Sequence, residues 1–477
     1  MSGPEMVKCA GVLVFFRFCA LPFYGQQAPP SPDQPWLVSR DRGLQAEVTR
    51  IPATRATLDP NHLYTLPELA DFAERNNPET RIVWERAKQR AAELGVARSA
   101  LFPTVAALAS ASRNQYSLFF GKFYHEDTGV FPAILTLSYT ILDFGARASK
   151  IDRAKADLLA ADFTFNDAHR RIIFRVTEAY YRLLDAMARE DAVQAMVADT
   201  QTVQQAVEAK LANGLATLPD VLEARAASAQ AQYELASVQG LVSIARGALA
   251  TALGVSATAD FHVENVSQAA IPETMEEPVQ TLIERALAGR PDLLTEVARV
   301  RYADAEVKQS RSPFYPLLSF SGDWGHSNAF GQQNFGPAIH SAIFPYEAQI
   351  KLSWSVFDGG ARSNELARAQ AGRREAQAQV LLSRDQIENE IWISYSELKT
   401  AQKQQEAANA LLQATEQSYS AASEAFQAGV RTFIDVTTAQ RELARARTAQ
   451  ATARVRILTS LASLAFRVGD QIPAAQH

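Results

Sequence analysis

The chain is written twice, and the second writing keeps the spacing of the first. Pro78 to Pro103 matches Pro291 to Pro316 at a shift of 213 residues, with Leu69 over Leu282, Ala73 over Ala286 and Arg98 over Arg311. The match resumes at a shift of 215. Asp143, Gly145 and Arg147 then fall on Asp358, Gly360 and Arg362, and the register holds through Tyr180 on Tyr395, Gly214 on Gly429, Asp220 on Asp435 and Gly254 on Gly469. Such repeats are units that cover their apolar faces against one another. Between Asp143 and Gly254 neither copy carries an insertion. Long packed helices explain this, because a one-residue slip turns the whole buried face by about 100°.

The pattern inside each copy agrees. Residues 66–100 read as helix broken at Pro78. From Gly145 to Leu211, Ile151, Ala154, Leu158, Ala161, Phe165, Ala168 and Ile172 recur at alternating steps of three and four, the coiled-coil period. A helix of that span is on the order of 100 Å long, more than a compact domain uses. Ala212-Asn213-Gly214-Leu215 turns the chain into a second helix from about Leu218 to Leu253, and the other copy turns at Ala428-Gly429-Val430. Much of the seam is alanine, which permits close helix approach. The helices alone fit a plain antiparallel coiled-coil scaffold.

Strands change that reading. Each copy carries two segments of period-two alternation, expected near 102–114 and 133–143 and near 315–326 and 347–358. The first copy shows Val105, Ala107, Ala109, Ala111 and Leu135, Leu137, Tyr139, Ile141. The second shows Leu318, Phe320, Gly322, Trp324 and Ile350, Leu352, Trp354, Val356, interleaved with Ser319, Ser321, Asp323, Gln349, Lys351, Ser353 and Ser355. One face is apolar and aromatic, so Leu318, Phe320, Trp324, Ile350, Leu352, Trp354 and Val356 read as lipid-facing. Each segment has the length of a tilted bilayer-spanning strand. Four strands cannot close a membrane barrel, and an open edge in lipid leaves backbone groups unpaired. Closure therefore needs further subunits; three copies would give twelve strands, with two or four left open by the residues alone.

Beyond the N-terminus no run of about 18 apolar residues is apparent, so no membrane-spanning helix is expected. The segment Val12 to Tyr24 is apolar and follows Lys8, and residues 1–25 read as an export signal despite Arg17 and the lack of a small-x-small site. Cys9 and Cys19 both lie there; Phe16, Arg17 and Phe18 before Cys19 make a poor lipoprotein context. Residues 26–61, with Pro29, Pro30, Pro32 and Pro35, read as an extended arm. The expected organisation continues with a first repeat at 62–256, a connector at 257–278, a second repeat at 279–470 and a tail at 471–477.

A formal net charge of -5 argues against a nucleic-acid binder. His125, Glu126 and Asp127, with His326 and His340, lie in the connections Tyr116–Val130 and Asn328–Phe344, which read as outward loops. Their spacing matches no standard ligand set, so they are taken as solvated loop residues and no metal site is expected. No Ser-His-Asp order, HExxH, phosphate loop or CxxC pair occurs, so neither catalytic nor cofactor-binding residues are expected and the chain is not read as an enzyme.

Four motifs then stand out in fixed order: Ile-Leu-Asp-Phe-Gly-Ala-Arg (141–147), Asn-Gly-Leu-Ala-Thr-Leu-Pro-Asp-Val-Leu (213–222), Val-Phe-Asp-Gly-Gly-Ala-Arg (356–362) and Ala-Gly-Val-Arg-Thr-Phe-Ile-Asp-Val (428–436). With the repeat, they make the chain resemble the TolC-type outer-membrane efflux protein family over roughly residues 62–470. The resemblance implies a mainly α protein with a small transmembrane β part: a long antiparallel coiled-coil α-barrel continuous with a twelve-stranded β-barrel, built by a homotrimer with four strands per chain. It implies an exit duct of a tripartite efflux or type I secretion system in the outer membrane of a Gram-negative bacterium, with a large periplasmic part. Its implied partners are outer-membrane lipid, a periplasmic adaptor and, through it, an inner-membrane pump or secretion ATPase.

The resemblance also assigns roles. Asp435 matches an acidic ring at the periplasmic aperture, Arg431 a position that helps lock the closed tip, and Thr438 a position where the family carries a second acid. Gly214, Asp220 and Gly429 fall at the tip turns where the adaptor docks, and Gly145, Arg147, Gly360 and Arg362 at strand-to-helix joints. Helix capping competes with these roles for Asp435 and Asp220. Two other functions stay open at this level: a periplasmic coiled-coil scaffold or adaptor, and a non-conducting envelope protein of the same fold.

Overall fold

The computed structural model describes Arg50 and residues 56–119, 121–264 and 277–469. The expected export signal and C-terminal tail, and most of the arm and connector, lie outside the described residues. All the described residues except Arg50 belong to one compact unit, Arg55–His477.

Each copy contributes two short and two long helices. In the first, α1 (Leu66–Asn76) and α2 (Pro78–Ser99) are separated by Asn77, whose side chain accepts a hydrogen bond from Glu79 N at 2.9 Å and so opens α2. The long pair is α3 (Ala146–Ala212) and α4 (Leu218–Leu253). The second copy repeats them as α5 (Val279–Gly289), α6 (Pro291–Arg311), α7 (Ala361–Gln427) and α8 (Phe433–Val468). α3 and α7 have 67 residues each, which at about 1.5 Å per residue is about 100 Å.

Packing arranges the long helices as a layer in the order α4, α3, α8, α7; nearer the strands α2 packs on α3, and α6 lies between α3 and α7. The buried cores of the two copies use matching positions. Leu69, Ile172, Val176, Leu183, Leu249 and Leu253 form one; Leu282, Ile387, Ile391, Leu398, Leu464 and Val468 form the other. Each such side chain contributes roughly 1.5–3 kcal/mol on burial. Beside the first core, β1 (Leu63–Tyr64) pairs in parallel with β5 (His262–Val263).

One helix departs from the hydropathy expectation. α4 contains an 18-residue window of mean hydropathy 1.2 with no more than two charges, so by length and composition it could cross a membrane. Alanine supplies much of that hydropathy, and the helix packs along α3.

The sheet is antiparallel and follows four tracks. β2 (Thr104–Ala109) and β3 (Ser112–Phe119) form the first, β4 (Phe123–Leu142) the second, β6 (Leu317–Gln333) the third, and β7 (Ile339–Ile343) with β8 (Tyr346–Ser353) the fourth. Both edge tracks are interrupted beside a proline. Ser110 N donates to Pro132 O at 3.1 Å across the first gap, and Gly325 N to Pro345 O at 3.1 Å across the second. Proline has no N–H to return, so the ladder breaks locally.

The strands run further outward than alternation suggested. Much of Tyr116–Val130 and Asn328–Phe344 is strand, not loop: β3 pairs with β4 from Ser112–Val130 to Phe119–Phe123, and β4 with β6 out to Glu126–Gln333. Backbone ladders hold these ends although polar side chains interrupt the apolar pattern. At the other end β8 stops at Ser353, whose partner Leu317 is the first residue of β6. Trp354 and Val356, expected in the strand, therefore lie beyond it, with no strand of the described residues opposite them.

Candidate functional site

Strand register sorts the sheet into two faces. On one, Val105 pairs with Leu137, Ala107 with Leu135, Leu135 with Trp324, and Tyr139 with Phe320; Phe320 pairs in turn with Ile350, and Leu318 with Leu352. Five of the expected apolar residues thus share a face. Thr136, Ser138, Ser319, Ser321, Asp323, Gln349 and Lys351 occupy the other, where Thr136 Oγ1 donates to Asp323 Oδ1 at 2.6 Å. Outward along the apolar face the Phe330 ring lies over Gly129, where a Cβ would meet it at 2.2 Å.

His125, Glu126 and Asp127 sit on β4, His326 on β6 and His340 on β7. Asp127 is paired with Arg113 through two hydrogen bonds, at 3.0 and 2.5 Å, and His125 Nδ1 lies 2.7 Å from Ser117 Oγ. Among the described residues no three metal-ligating side chains are grouped.

The strand-to-helix joints are the same device built twice. Asp143 accepts from Gly145 N (3.2 Å), Arg147 N (2.8 Å) and Arg147 Nε (2.9 Å); Asp358 accepts from Gly360 N (3.1 Å), Arg362 N (3.1 Å) and Arg362 Nε (2.8 Å). Each guanidinium then reaches two carbonyls. Arg147 donates to Ile141 O at the end of β4 and to Ala100 O after α2; Arg362 donates to Val356 O and Pro313 O. The motif thereby ties the start of a long helix to the strand before it and to the shorter helix beside it. Gly145 and Gly360 have φ of 93° and 87°, a region where a Cβ is strained. Burial raises the Asp143 carboxyl, but hydrogen bonds from Arg147 outweigh it and hold the carboxyl below its ordinary range.

At the far end, both tips close the same way. Leu215 N donates to Lys210 O (2.8 Å) and Gly214 N to Leu211 O (2.9 Å); Val430 N donates to Ala425 O (2.9 Å) and Gly429 N to Phe426 O (3.1 Å). This is the Schellman pattern, and Gly214 and Gly429 supply its left-handed residue, each at φ 74°. The next helices open with Asp220 accepting from Thr217 N and Oγ1 at 2.8 and 2.6 Å, and Asp435 from Thr432 N and Oγ1 at 3.1 and 2.9 Å. Those bonds, led by the threonine hydroxyls, hold both carboxyls below the usual aspartate range, with the charge of Arg431 adding to the effect at Asp435. Capping and charge are compatible: each aspartate caps its helix and stays ionised and half-exposed. The exposed Thr438 hydroxyl turns back to Ile434 O at 2.8 Å.

Contacts between the two tips involve residues the motifs did not mark. Phe433 is buried with Val207, Val221 and Ala224, with Phe426 packed alongside. Lys210 Nζ stands 3.8 Å from the Phe426 ring centroid and 3.4 Å from its carbonyl oxygen. Further up, Arg447 Nη1 of α8 meets Asp199 Oδ2 of α3 at 3.0 Å. The Thr-x-x-Asp spacing could have announced the caps; nothing in the sequence paired Lys210 with Phe426.

The outer membrane efflux protein family model matches residues 69–255 and 282–470, the two copies of the repeat. Protein CyaE of Bordetella pertussis is 28% identical over 319 residues, 65% of this chain and 64% of that protein. Outer membrane protein OprJ of Pseudomonas aeruginosa is 24% identical over 298 residues, 62% of this chain and 61% of that protein. The match thus spans less than two thirds of either relative. Among solved structures, the outer-membrane channel OprN superposes with a TM-score of 0.75 at 20% identity, covering 88% of this chain and 96% of that one. The Campylobacter jejuni CmeC outer membrane channel gives 0.74 at 19% identity, covering 86% and 87%. At these identities the structural likeness is one of fold. With both copies matched by the family model and the TolC-like fold shared along most of its length, the chain belongs to the outer membrane efflux protein family and is an outer-membrane protein with a large helical periplasmic part.

Proposed function

We propose that the chain is one subunit of a homotrimeric exit duct, a gated passive pore through which a tripartite efflux or type I secretion system passes its cargo. The observation that carries this reading is the sheet: one apolar face and two free edges, joined through the Asp143–Arg147 and Asp358–Arg362 clamps to helices of about 100 Å. Three sets of four tracks close a twelve-stranded barrel with no open edge in lipid. The helices continue it across the periplasm. The chain performs no chemistry and holds no cofactor in this reading.

The tips form the gate and the docking end. An adaptor contacts the turns at Gly214, Asp220 and Gly429 and links the duct to an inner-membrane pump or secretion ATPase. Three ionised Asp435 carboxylates around one axis favour cations. Thr438 adds no second acid, so this ring is weaker than a doubled one, while Arg431 beside Asp435 offsets part of its charge. Cargo is left to the pump: the relatives include the Alkaline protease secretion protein AprF of Pseudomonas aeruginosa and the Cobalt-zinc-cadmium resistance protein CzcC of Cupriavidus metallidurans.

Conductance of the purified protein in a planar bilayer tests the reading, with and without Asp435→Ala. Small cation-preferring steps that enlarge or lose selectivity in the variant are expected. Folded, membrane-inserted protein that conducts in neither form would sink the duct and favour a structural envelope role.

A further inference from the structure

The helix returning from the second tip is basic out of proportion to the chain. α8 carries Arg441, Arg445, Arg447, Arg454, Arg456 and Arg467 against Asp435 and Glu442, in a protein of formal net charge -5. Its counterpart α4 has Ala226, Gln230, Gln232, Gln239 and Leu241 where α8 has the first five arginines. The same helix in the same fold therefore forms without these charges. Arg447 is accounted for by its pair with Asp199 of α3, whereas among the described residues no ion pair or hydrogen bond joins Arg441, Arg445 or Arg456 to another helix.

Three of them border a groove. Arg441, Arg445 and Arg456 line a cavity of about 630 Å³ together with Arg189 of α3, Glu234 of α4 and Gln404 of α7. All four helices of one layer contribute to its walls. Local acids, Glu234 of the lining among them, offset only part of its charge. Arg189 meets Asp185 at 2.8 Å and Arg445 meets Glu442 at 2.7 Å, but Arg441 has only a weak contact with Thr437 O at 3.4 Å. Arg456 has no ionic or hydrogen-bonding partner among the described residues, and the buried Arg189 Nε is also without one. Between the arginines the walls are small, mostly alanine with Val193 and Met196 and the hydroxyls of Thr448 and Thr452.

This combination selects a ligand class. Guanidinium forks match carboxylate and phosphate oxygens, the alanine-rich walls suit a hydrocarbon or ring, and the volume falls in the range of small-molecule sites. We infer that the groove binds amphiphilic organic anions, each a carboxylate or phosphate on an apolar body, and that such anions are a cargo class of this duct. The cargo half of the inference rests on the duct reading, with this face of the layer taken as the lumen side. From Arg441 to Arg456 the helix rises about 22 Å, so the basic zone extends along the path as a stripe.

Binding of 2-naphthyl phosphate and of the cation 2-naphthylethylammonium to the full-length, detergent-purified protein tests the inference by calorimetry. Saturable binding of the phosphate alone is expected. It should weaken at least 10-fold in an Arg445→Gln/Arg456→Gln variant and return in Arg445→Lys/Arg456→Lys, with circular dichroism unchanged in both. Equal affinity for the cation, no saturable binding, or unchanged affinity in the Gln variant would overturn the site. Conductance measured on the same preparations separates the two readings: a conducting pore without anion preference in the groove loses only this inference, whereas inserted protein that binds the phosphate but never conducts keeps the site and loses the cargo role.

Discussion

Asn77 and Arg290 occupy matching positions in the two copies and hold the same carbonyl in place with different chemistry. Asn77 Nδ2 donates to Ala252 O at 3.0 Å near the end of α4; Arg290 Nη1 donates to Arg467 O at 3.1 Å near the end of α8. Around Asn77 the charges lie elsewhere, in the pair Glu79–Arg175 at 2.8 Å. Around Arg290 they converge: the guanidinium also meets Asp292 at 2.6 and 3.0 Å and Glu390 at 3.0 Å. Both acids stand where the first copy has Glu79 and Arg175, so the cation sits on the long helix in the first copy and at the residue before the short helix in the second.

That difference predicts unequal costs. Asn77→Ala should destabilise the folded protein by about 1–2 kcal/mol through a lost cap and an orphaned carbonyl. Arg290→Ala should cost more, about 2–3 kcal/mol, because the half-buried Asp292 stands near Asp167 without its main counter-charge and Arg467 O loses a donor. Guanidinium unfolding followed by circular dichroism ranks the two. Equal losses would mean that the ion network adds nothing to the carbonyl contact.

The tip caps should be insensitive to mild acid. Asp220 and Asp435 are both depressed by their threonine partners, so their contribution is present above the unfolded value of about 3.9 and is lost as pH falls through the lower folded value. Hydrogen exchange at residues 218–222 and 433–437, corrected for intrinsic rate, should therefore stay slow down to about pH 4 and rise below it. Loss of protection already at neutral pH would contradict the caps; Asp435→Asn should remove the acid step at the second tip alone.

Tip separation should depend on packing more than on charge. Phe433→Ala removes a nearly buried ring and should cost about 3–5 kcal/mol. Lys210→Gln removes a cation–π contact worth about 0.5–1 kcal/mol, and Asp199→Asn a partly exposed ion pair worth at most about 1 kcal/mol. Single-channel conductance should increase most in Phe433→Ala and slightly in the other two. The reverse order would place the tie between the hairpins in their charges.

The two sheet faces should answer oppositely to the same insertion. Leu135→Arg puts a cation on the apolar face and should destabilise the inserted protein by about 2–4 kcal/mol if the residue lies near mid-bilayer. Gln349→Arg, on the polar face, should leave stability within about 0.5 kcal/mol. Urea unfolding in lipid vesicles measures both, and equal sensitivity would reject the assignment of faces.

Much of the fold was legible because it rests on periodicity. The start of α4 at Leu218 follows from the turn motif before it, and the matching cores from the repeat itself. Strand ends were not legible, since alternation reports which face is apolar and not how far a backbone ladder continues past Asp127 or Gln332. Trp354 and Val356 kept the alternation but had lost their partner strand. At the tips, glycine and Thr-x-x-Asp carry local rules, whereas the Lys210–Phe426 contact joins residues 216 apart and leaves no local trace.

Both edge tracks of the sheet bond to one neighbour only among the described residues, and the apolar face beside them is broad. The two buried cores are built largely from helices of a single chain. Its strands cannot come to rest in water, because free edges and apolar surface invite pairing with any other chain. If the sheet closes with sister chains as proposed, biogenesis has to defer it until those chains and lipid are at hand, so that barrel closure, oligomerisation and insertion happen as one event and a partly assembled subunit is a substrate for chaperones and proteases.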